Sequence, residues 1–205
     1  MNAALDVADW RRRVFSVYER VREATDLFAA HDLWRRERDE LFASHPSTPL
    51  LPEDRAEFTG LPVRPYDPDW RFEVALQPVG HRRLEVETGT DGIVPFELIG
   101  LVDVPGVGAL DVWRLASYGG GIFLPVKDAL AGVQGGTYGG GRYLLDTVKG
   151  ADLGPGRAAE SLILDFNFAY NPSCAYDPAW ACPLAQPGNS VAVEIPVGER
   201  YSGSH

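Results

Sequence analysis

The sequence predicts a mainly β protein, an antiparallel barrel-like or sandwich domain with two N-terminal α-helices packed against it. Three observations carry this expectation. Apolar residues recur at three- and four-residue steps through the first forty-odd positions, but at alternate positions after Pro65-Tyr-Asp-Pro68. A proline-rich run, Ser44-His-Pro-Ser-Thr-Pro-Leu-Leu-Pro52, separates the two regimes. Beyond it, most of the 16 prolines and 22 glycines punctuate short apolar stretches, which suits turns between strands.

The first helix is read from Val7, Trp10, Val14, Val17, Val21, Ala24 and Phe28, which share one stripe, with Asp6 as its N-cap. A second helix runs from about Asp32 to Ala43, with Leu33, Glu37 and Leu41 on one side and Trp34 and Phe42 broadening the apolar face. Each proline of the following break lacks an N–H and pushes its predecessor out of the helical region. The boundary therefore divides a helical segment, 1–45, from a β-rich region, 46–205, and the two are read as one integrated domain.

Period-two alternation marks the first strands: Phe72, Val74 and Leu76, then Leu84 and Val86, against charged neighbours. Further strands are expected over Ile93–Val102, Ala109–Ala116, Ile122–Asp128, Arg142–Val148, Ser161–Ala169 and Val191–Val197. No helical pattern intervenes, and this is what argues for an antiparallel arrangement with the helices outside it or across an open end.

Composition narrows the function classes. A chain of 205 residues with 45% apolar composition can bury a substantial core. With 29 acidic residues against 19 basic ones, the formal charge of -10 repels phosphate backbones unless cations cluster on one face. Arg11-Arg12-Arg13 and Arg35-Arg36 lie beside acidic residues in helical patterns and read as solvated faces. Neither a nucleic-acid partner nor a membrane is expected. The N-terminal residues lack the pattern of a secretory leader, and no run of about eighteen apolar residues is present, so a cytoplasmic protein is the expectation.

Two stretches hold candidate chemistry. In Leu162-Ile-Leu-Asp-Phe-Asn-Phe168, continued alternation would place Asp165 and Asn167 roughly 7 Å apart on one strand face, opposite Leu162, Leu164, Phe166 and Phe168. That face meets either solvent or a polar cavity. In Thr137-Tyr-Gly-Gly-Gly-Arg-Tyr-Leu-Leu-Asp146, Gly139, Gly140 and Gly141 can form a bend, or can aim successive N–H groups at an anion. Arg142 suits a ligand carboxylate or phosphate, or equally Asp165 or Asp146 as an internal partner. Neither nucleotide-binding glycine motif is met.

Other groups carry weaker signals. Cys174 and Cys182, with seven residues between them and His31, His45, His81 and His205 far off in sequence, do not form a recognisable zinc pattern, and no metal is assigned. Free thiols suit a reducing compartment, although oxidation could close a bridge across this loop. The chain holds no Gly-x-Ser-x-Gly elbow and no His-Glu-x-x-His. Lys127, Asp128 and Glu97 are acid/base candidates or simply solvated charges.

Several runs together resemble one bacterial family: Phe58-Thr-Gly-Leu61, Thr137-Tyr-Gly-Gly-Gly-Arg-Tyr143, Leu164-Asp-Phe-Asn167, Ala169-Tyr-Asn-Pro172, Cys174, Cys182-Pro-Leu184, Asn189 and Gly198-Glu199. The pattern is similar to that of "domain of unknown function 1684" in its short actinobacterial form, over about residues 50 to 200. Leu130 stands where that pattern has threonine. The resemblance implies that Tyr138, Arg142, Asp165, Asn167, Tyr170 and Asn171 belong to a shared signature, which fits a pocket or a structural hydrogen-bond network. It implies no activity and no cofactor.

The functional expectation is a polar pocket for a small anionic or polar organic molecule. Arg142 and Asp165 would be the catalytic pair of a hydrolase- or lyase-type enzyme. Tyr138, Gly139, Gly140, Gly141, Asn167, Tyr170 and Asn171 would hold the ligand. The alternatives are a non-catalytic binding module, or a structural domain whose N-terminal helices dock a partner or a second copy.

Overall fold

The computed structural model describes residues 2–88, 92–201 and 203. Two long helices open the chain. Helix α1 spans Ala3–Glu23 and is capped by Asn2, whose side chain accepts the Ala4 N–H; Asp6 lies inside its first turn rather than capping it. Helix α2 spans Leu27–Ser44, with the Asp26 side chain accepting the N–H groups of Phe28 and Ala29. Phe28 thus belongs to the start of the second helix and is 57% exposed, its ring edge-on to Tyr66. The inward face of α1 is Val17, Tyr18 and Val21, and it meets Ala30 and Trp34 of α2. Trp34 is fully buried and its indole N–H donates to the Tyr18 hydroxyl at 3.1 Å, so the bulkiest side chain of the interface leaves no polar atom unsatisfied. Ala151, Leu153 and Phe168 complete this cluster, so the Val17, Tyr18 and Val21 face is covered by the chain's own β region, while Val7 and Phe28 at the ends of the stripe stay exposed. A short third helix, α3, occupies Pro52–Arg55 after the proline break.

Among the described residues seven strands follow: β1 Arg71–Ala75, β2 Arg83–Thr88, β3 Gly92–Val104, β4 Gly108–Leu115, β5 Ile122–Val126, β6 Arg142–Asp146 and β7 Ser161–Asp165. They form a five-stranded sheet in the order β2-β3-β4-β5-β6 and a two-stranded sheet of β1 with β7, all pairs antiparallel. The two ends of the large sheet do not pair, so the barrel expectation is corrected to two open sheets. Helix and strand contents are about 29% and 28%, so the helices count for as much as the strands and the chain is less β-dominated than its alternation implies. One core joins the sheets: Val74 and Leu164 from the small one meet Val102, Leu110, Val112, Leu124 and Leu144 from the large one. Gly100 sits where the sheets come together, and a Cβ there would lie 2.7 Å from the Gln77 carbonyl oxygen.

Two expected strands change form, each for a visible reason. The strand expected over Ser161–Ala169 stops at Asp165, whose carboxylate accepts the Asn167 N–H at 3.1 Å and caps a 3-10 turn over Phe166–Phe168. The expected strand Val191–Val197 does not form. Its carbonyls at Ile195 and Val197 accept from the Arg142 guanidinium instead of from a neighbouring strand.

Candidate functional site

Arg142 opens β6 directly after Gly141, whose φ of 88° is a conformation that glycine tolerates. A Cβ at Gly141 would stand 2.8 Å from the Val126 carbonyl oxygen, so this glycine serves a close bend against β5. The bend drives Arg142 into the interior, where it is fully buried. Its Nη1 donates to the carbonyls of Val197 and Glu199, and its Nη2 to the Ile195 carbonyl at 3.2 Å and to Asp128 Oδ2 at 3.5 Å. Asp128 also accepts the Ile195 N–H at 2.9 Å and the Thr137 hydroxyl. Burial lowers the Arg142 pKa to about 10, against the raising effect of Asp128. Asp128, rather than Asp165 or Asp146, is the internal partner of the guanidinium. Together they bind the irregular segment that a missing strand would otherwise hold.

Asp165 is committed elsewhere. It accepts from Asn167 Nδ2 at 2.8 Å, Tyr66 OH at 3.1 Å and Arg71 Nη1 at 3.3 Å, in addition to the Asn167 backbone. Burial raises its pKa, opposed first by Asn167 and then by Arg71. Asn167 completes a two-way bond with Asp67, accepting its N–H and donating to its carbonyl, each at 2.8 Å. Arg142 and Asp165 therefore stand in two separate networks, and neither lines the cavities described next. Of the remaining sequence candidates, Tyr138, Gly139 and Gly140 border an open surface hollow with Leu184 and Tyr201. Tyr170 and Asn171 reach a more enclosed place.

That place is a cavity of about 90 Å³ between α1, α2 and the segment from Tyr170 to Tyr176. Trp10, Val14, Val17, Leu41 and Phe42 give it an apolar wall, and Tyr18, Tyr143 and Tyr170 an aromatic one. Arg38 is the one guanidinium in the lining. Its central carbon lies 4.9 Å from the ring centroids of both Trp34 and Tyr170 and 5.3 Å from that of Phe42, a cation held among aromatic faces. Arg38 Nη2 donates to Glu199 Oε2 at 2.8 Å.

Glu199 is fully buried, and its other donors are the Asn171 N–H at 3.1 Å, Asn171 Nδ2 at 3.3 Å and the Tyr176 hydroxyl. Burial raises its pKa, opposed first by Arg38. Two atoms here lack hydrogen-bond partners among the described residues: Arg38 Nε, a donor, and Asn171 Oδ1, an acceptor. Asn171 is only 3% exposed. A second, more open hollow of about 390 Å³ lies on the far side of Asn171 and Tyr176, bordered by Asp54, Arg200 and Tyr201.

The sequence reading did not single out Arg38, although a signal exists. Trp34, Arg38 and Phe42 follow at four-residue steps, which places a cation on the apolar stripe of α2 rather than on its solvated face. Glu199 entered only as part of the Gly198-Glu199 motif, with no role.

Among the described residues no three His, Cys, Asp or Glu side chains cluster in a way that could hold a metal. Among the same residues no helix is long and apolar enough to cross a membrane.

Comparison with known proteins gives a family and a fold neighbour. The profile of the family described as "Protein of unknown function (DUF1684)" matches residues 56–200. An uncharacterized protein of Haloarcula marismortui, solved by solution NMR, is 31% identical with a TM-score of 0.59; the match covers 83% of this chain and 92% of that one. No curated protein matches.

Proposed function

The chain belongs to the DUF1684 family, and from that premise we propose that it binds a small, largely apolar organic molecule carrying one neutral polar group, in the cavity beside Arg38 and Asn171. One observation carries this reading. Two residues that line a largely aromatic and apolar cavity each keep a buried polar atom without a partner: Arg38 Nε, a donor, and Asn171 Oδ1, an acceptor. A buried polar atom left unpaired costs about 1–3 kcal/mol, so a ligand that supplies both partners is favoured over one that supplies neither. A hydroxyl or carboxamide has both functions.

At Arg38 charge disfavours a ligand anion, because Glu199 already pairs with that guanidinium and a further negative group would meet the carboxylate; Lys149, the other cation of the lining, lies 3.9 Å from Asp146. The volume favours molecules smaller than the usual drug-sized occupant of a pocket. Binding without turnover fits the lining, which holds no carboxylate, histidine or cysteine; Glu199 lies behind Arg38, Asn171 and Tyr176. We read the two sheets as a sandwich-like pair and the protein as cytoplasmic, the latter supported by its free cysteines.

Titration calorimetry with phenol, its isostere toluene, and benzoate tests the reading. Phenol is expected to bind more tightly than toluene and benzoate, and Val14→Phe, which fills the cavity from α1, is expected to abolish the heat. Benzoate binding without phenol binding would restore the anionic-ligand expectation and overturn this one.

A further inference from the structure

The two edges of the five-stranded sheet are finished differently. At β6 the chain covers its own edge, through Tyr143 bonded to Tyr170 and Asp146 bonded to Ala151. At β2, among the described residues, nothing pairs with the outer side of the strand. The Leu98 N–H donates to the Arg82 carbonyl at 2.8 Å, which turns the backbone groups of positions 82, 84 and 86 toward β3. Those of Arg83, Glu85 and Glu87 therefore point outward, as a row of donors and acceptors open to another strand.

Charges commonly guard such an edge, and their order decides what can approach it. One face of β2 carries Arg83, Glu85 and Glu87, all exposed; the other carries Leu84 and Val86, half-buried beside Val94, Phe96 and Trp113. Arg83 Nε reaches its own Glu85 only at 3.5 Å, and both side chains are more than half exposed, so both remain available to a partner. Arg82, on the apolar face, keeps its guanidinium 5.0 Å from the Trp113 ring centroid and paired with Asp111. It adds no unpaired charge there.

We propose that a second copy of the chain docks on this edge, its β2 running antiparallel to this β2 about a two-fold axis at Leu84. In that register Arg83 stands opposite the partner's Glu85 and, by symmetry, Glu85 stands opposite the partner's Arg83. Both positions turn their backbone groups outward, so the ladder hydrogen bonds form between them. Leu84 meets Leu84 of the partner subunit on the apolar face, and Glu87 falls toward the partner's His81 rather than toward a like charge. Moving the axis by one residue sets Glu85 on the partner's Glu85, or Arg83 on the partner's Arg83, and like charges directly opposite are destabilising. The strand thus selects one register, and the two large sheets join as a single one. The formal charge of -10 on each copy opposes association, which makes this a concentration-dependent dimer.

Sedimentation velocity of the full chain from micromolar to millimolar concentration, under reducing conditions, tests the proposal. The wild type is expected to pass from monomer to dimer as concentration rises. Glu85→Arg turns two attractive cross-strand pairs into repulsive ones and should weaken the dimer about tenfold or more, as should Arg83→Glu. The double variant Arg83→Glu/Glu85→Arg restores complementarity with the signs exchanged and should recover dimerisation, with circular dichroism confirming that all three variants fold. A wild type that stays monomeric throughout, a Glu85→Arg dimer of unchanged affinity, or a double variant no tighter than the single ones would each overturn the proposal.

Discussion

Arg38 and Glu199, 161 positions apart, meet at 2.8 Å and tie the second helix to the last turns of the described chain. The pair does two things at once. It holds the helical layer against the β region, and it puts a neutralised guanidinium, its buried Nε–H without a partner, at the edge of an aromatic cavity.

Removing one member leaves the other charged and buried. Arg38→Met should therefore cost about 3–5 kcal/mol of unfolding free energy, the usual penalty for orphaning half of a buried pair. Adding Glu199→Gln should return part of that loss. Urea unfolding of the two single variants and the double variant checks this, and additive effects would show that the two side chains are not coupled.

Glu199 also predicts a direction for pH dependence. Burial raises its folded-state pKa above the unfolded one, so its contribution is fully present below the ordinary glutamate range and is lost as pH rises through the folded value. Relative to Glu199→Gln, which cannot ionise, the wild type should lose stability as pH is raised across that window. Denaturation midpoints for both proteins at a series of pH values measure the difference. A wild type that gains on the variant over this range would show that Arg38 and Asn171 outweigh desolvation.

Arg142 should behave as a structural residue. Its guanidinium supplies donors to three carbonyls of an irregular segment, and its loss also leaves the buried Asp128 carboxylate without its counter-charge. Arg142→Met should destabilise by about 3–5 kcal/mol or prevent folding. Circular dichroism melts provide the measurement; a variant as stable as wild type would return Arg142 to the list of ligand-binding candidates.

Gly141→Ala isolates the bend that places Arg142. The new methyl would have to accept a φ of 88° and stand 2.8 Å from a backbone oxygen, so a loss of more than about 1 kcal/mol is expected in chemical denaturation. Gly139→Ala meets nothing closer than 3.8 Å and should be the milder change.

These residues show where the sequence was legible. Alternation located β1 to β6 because each of those strands has neighbours on both or one side to use its backbone groups. It overran at Asp165 because the side chain of that last strand residue takes the Asn167 N–H, a local bond that hydrophobic pattern does not report. It invented a strand over Val191–Val197 because an arginine, distant in sequence, takes the carbonyls there. The candidate site was half legible. Tyr170 and Asn171 were in the quoted motifs, but their partner Arg38 lies on a helix whose apolar face was read from Leu33, Leu41, Trp34 and Phe42 without it. The pairing of residues 38 and 199 depends on packing between layers, and short-range periodicity carries no record of it.

The most direct test of the binding reading follows the tryptophan indole N–H and asparagine side-chain resonances by NMR while phenol is added. The account predicts saturable shifts at Trp34, Trp10 and Asn171 that vanish in Val14→Phe, with toluene shifting the indoles but leaving the Asn171 amide in place. Unchanged indole and Asn171 signals at saturating phenol would contradict it.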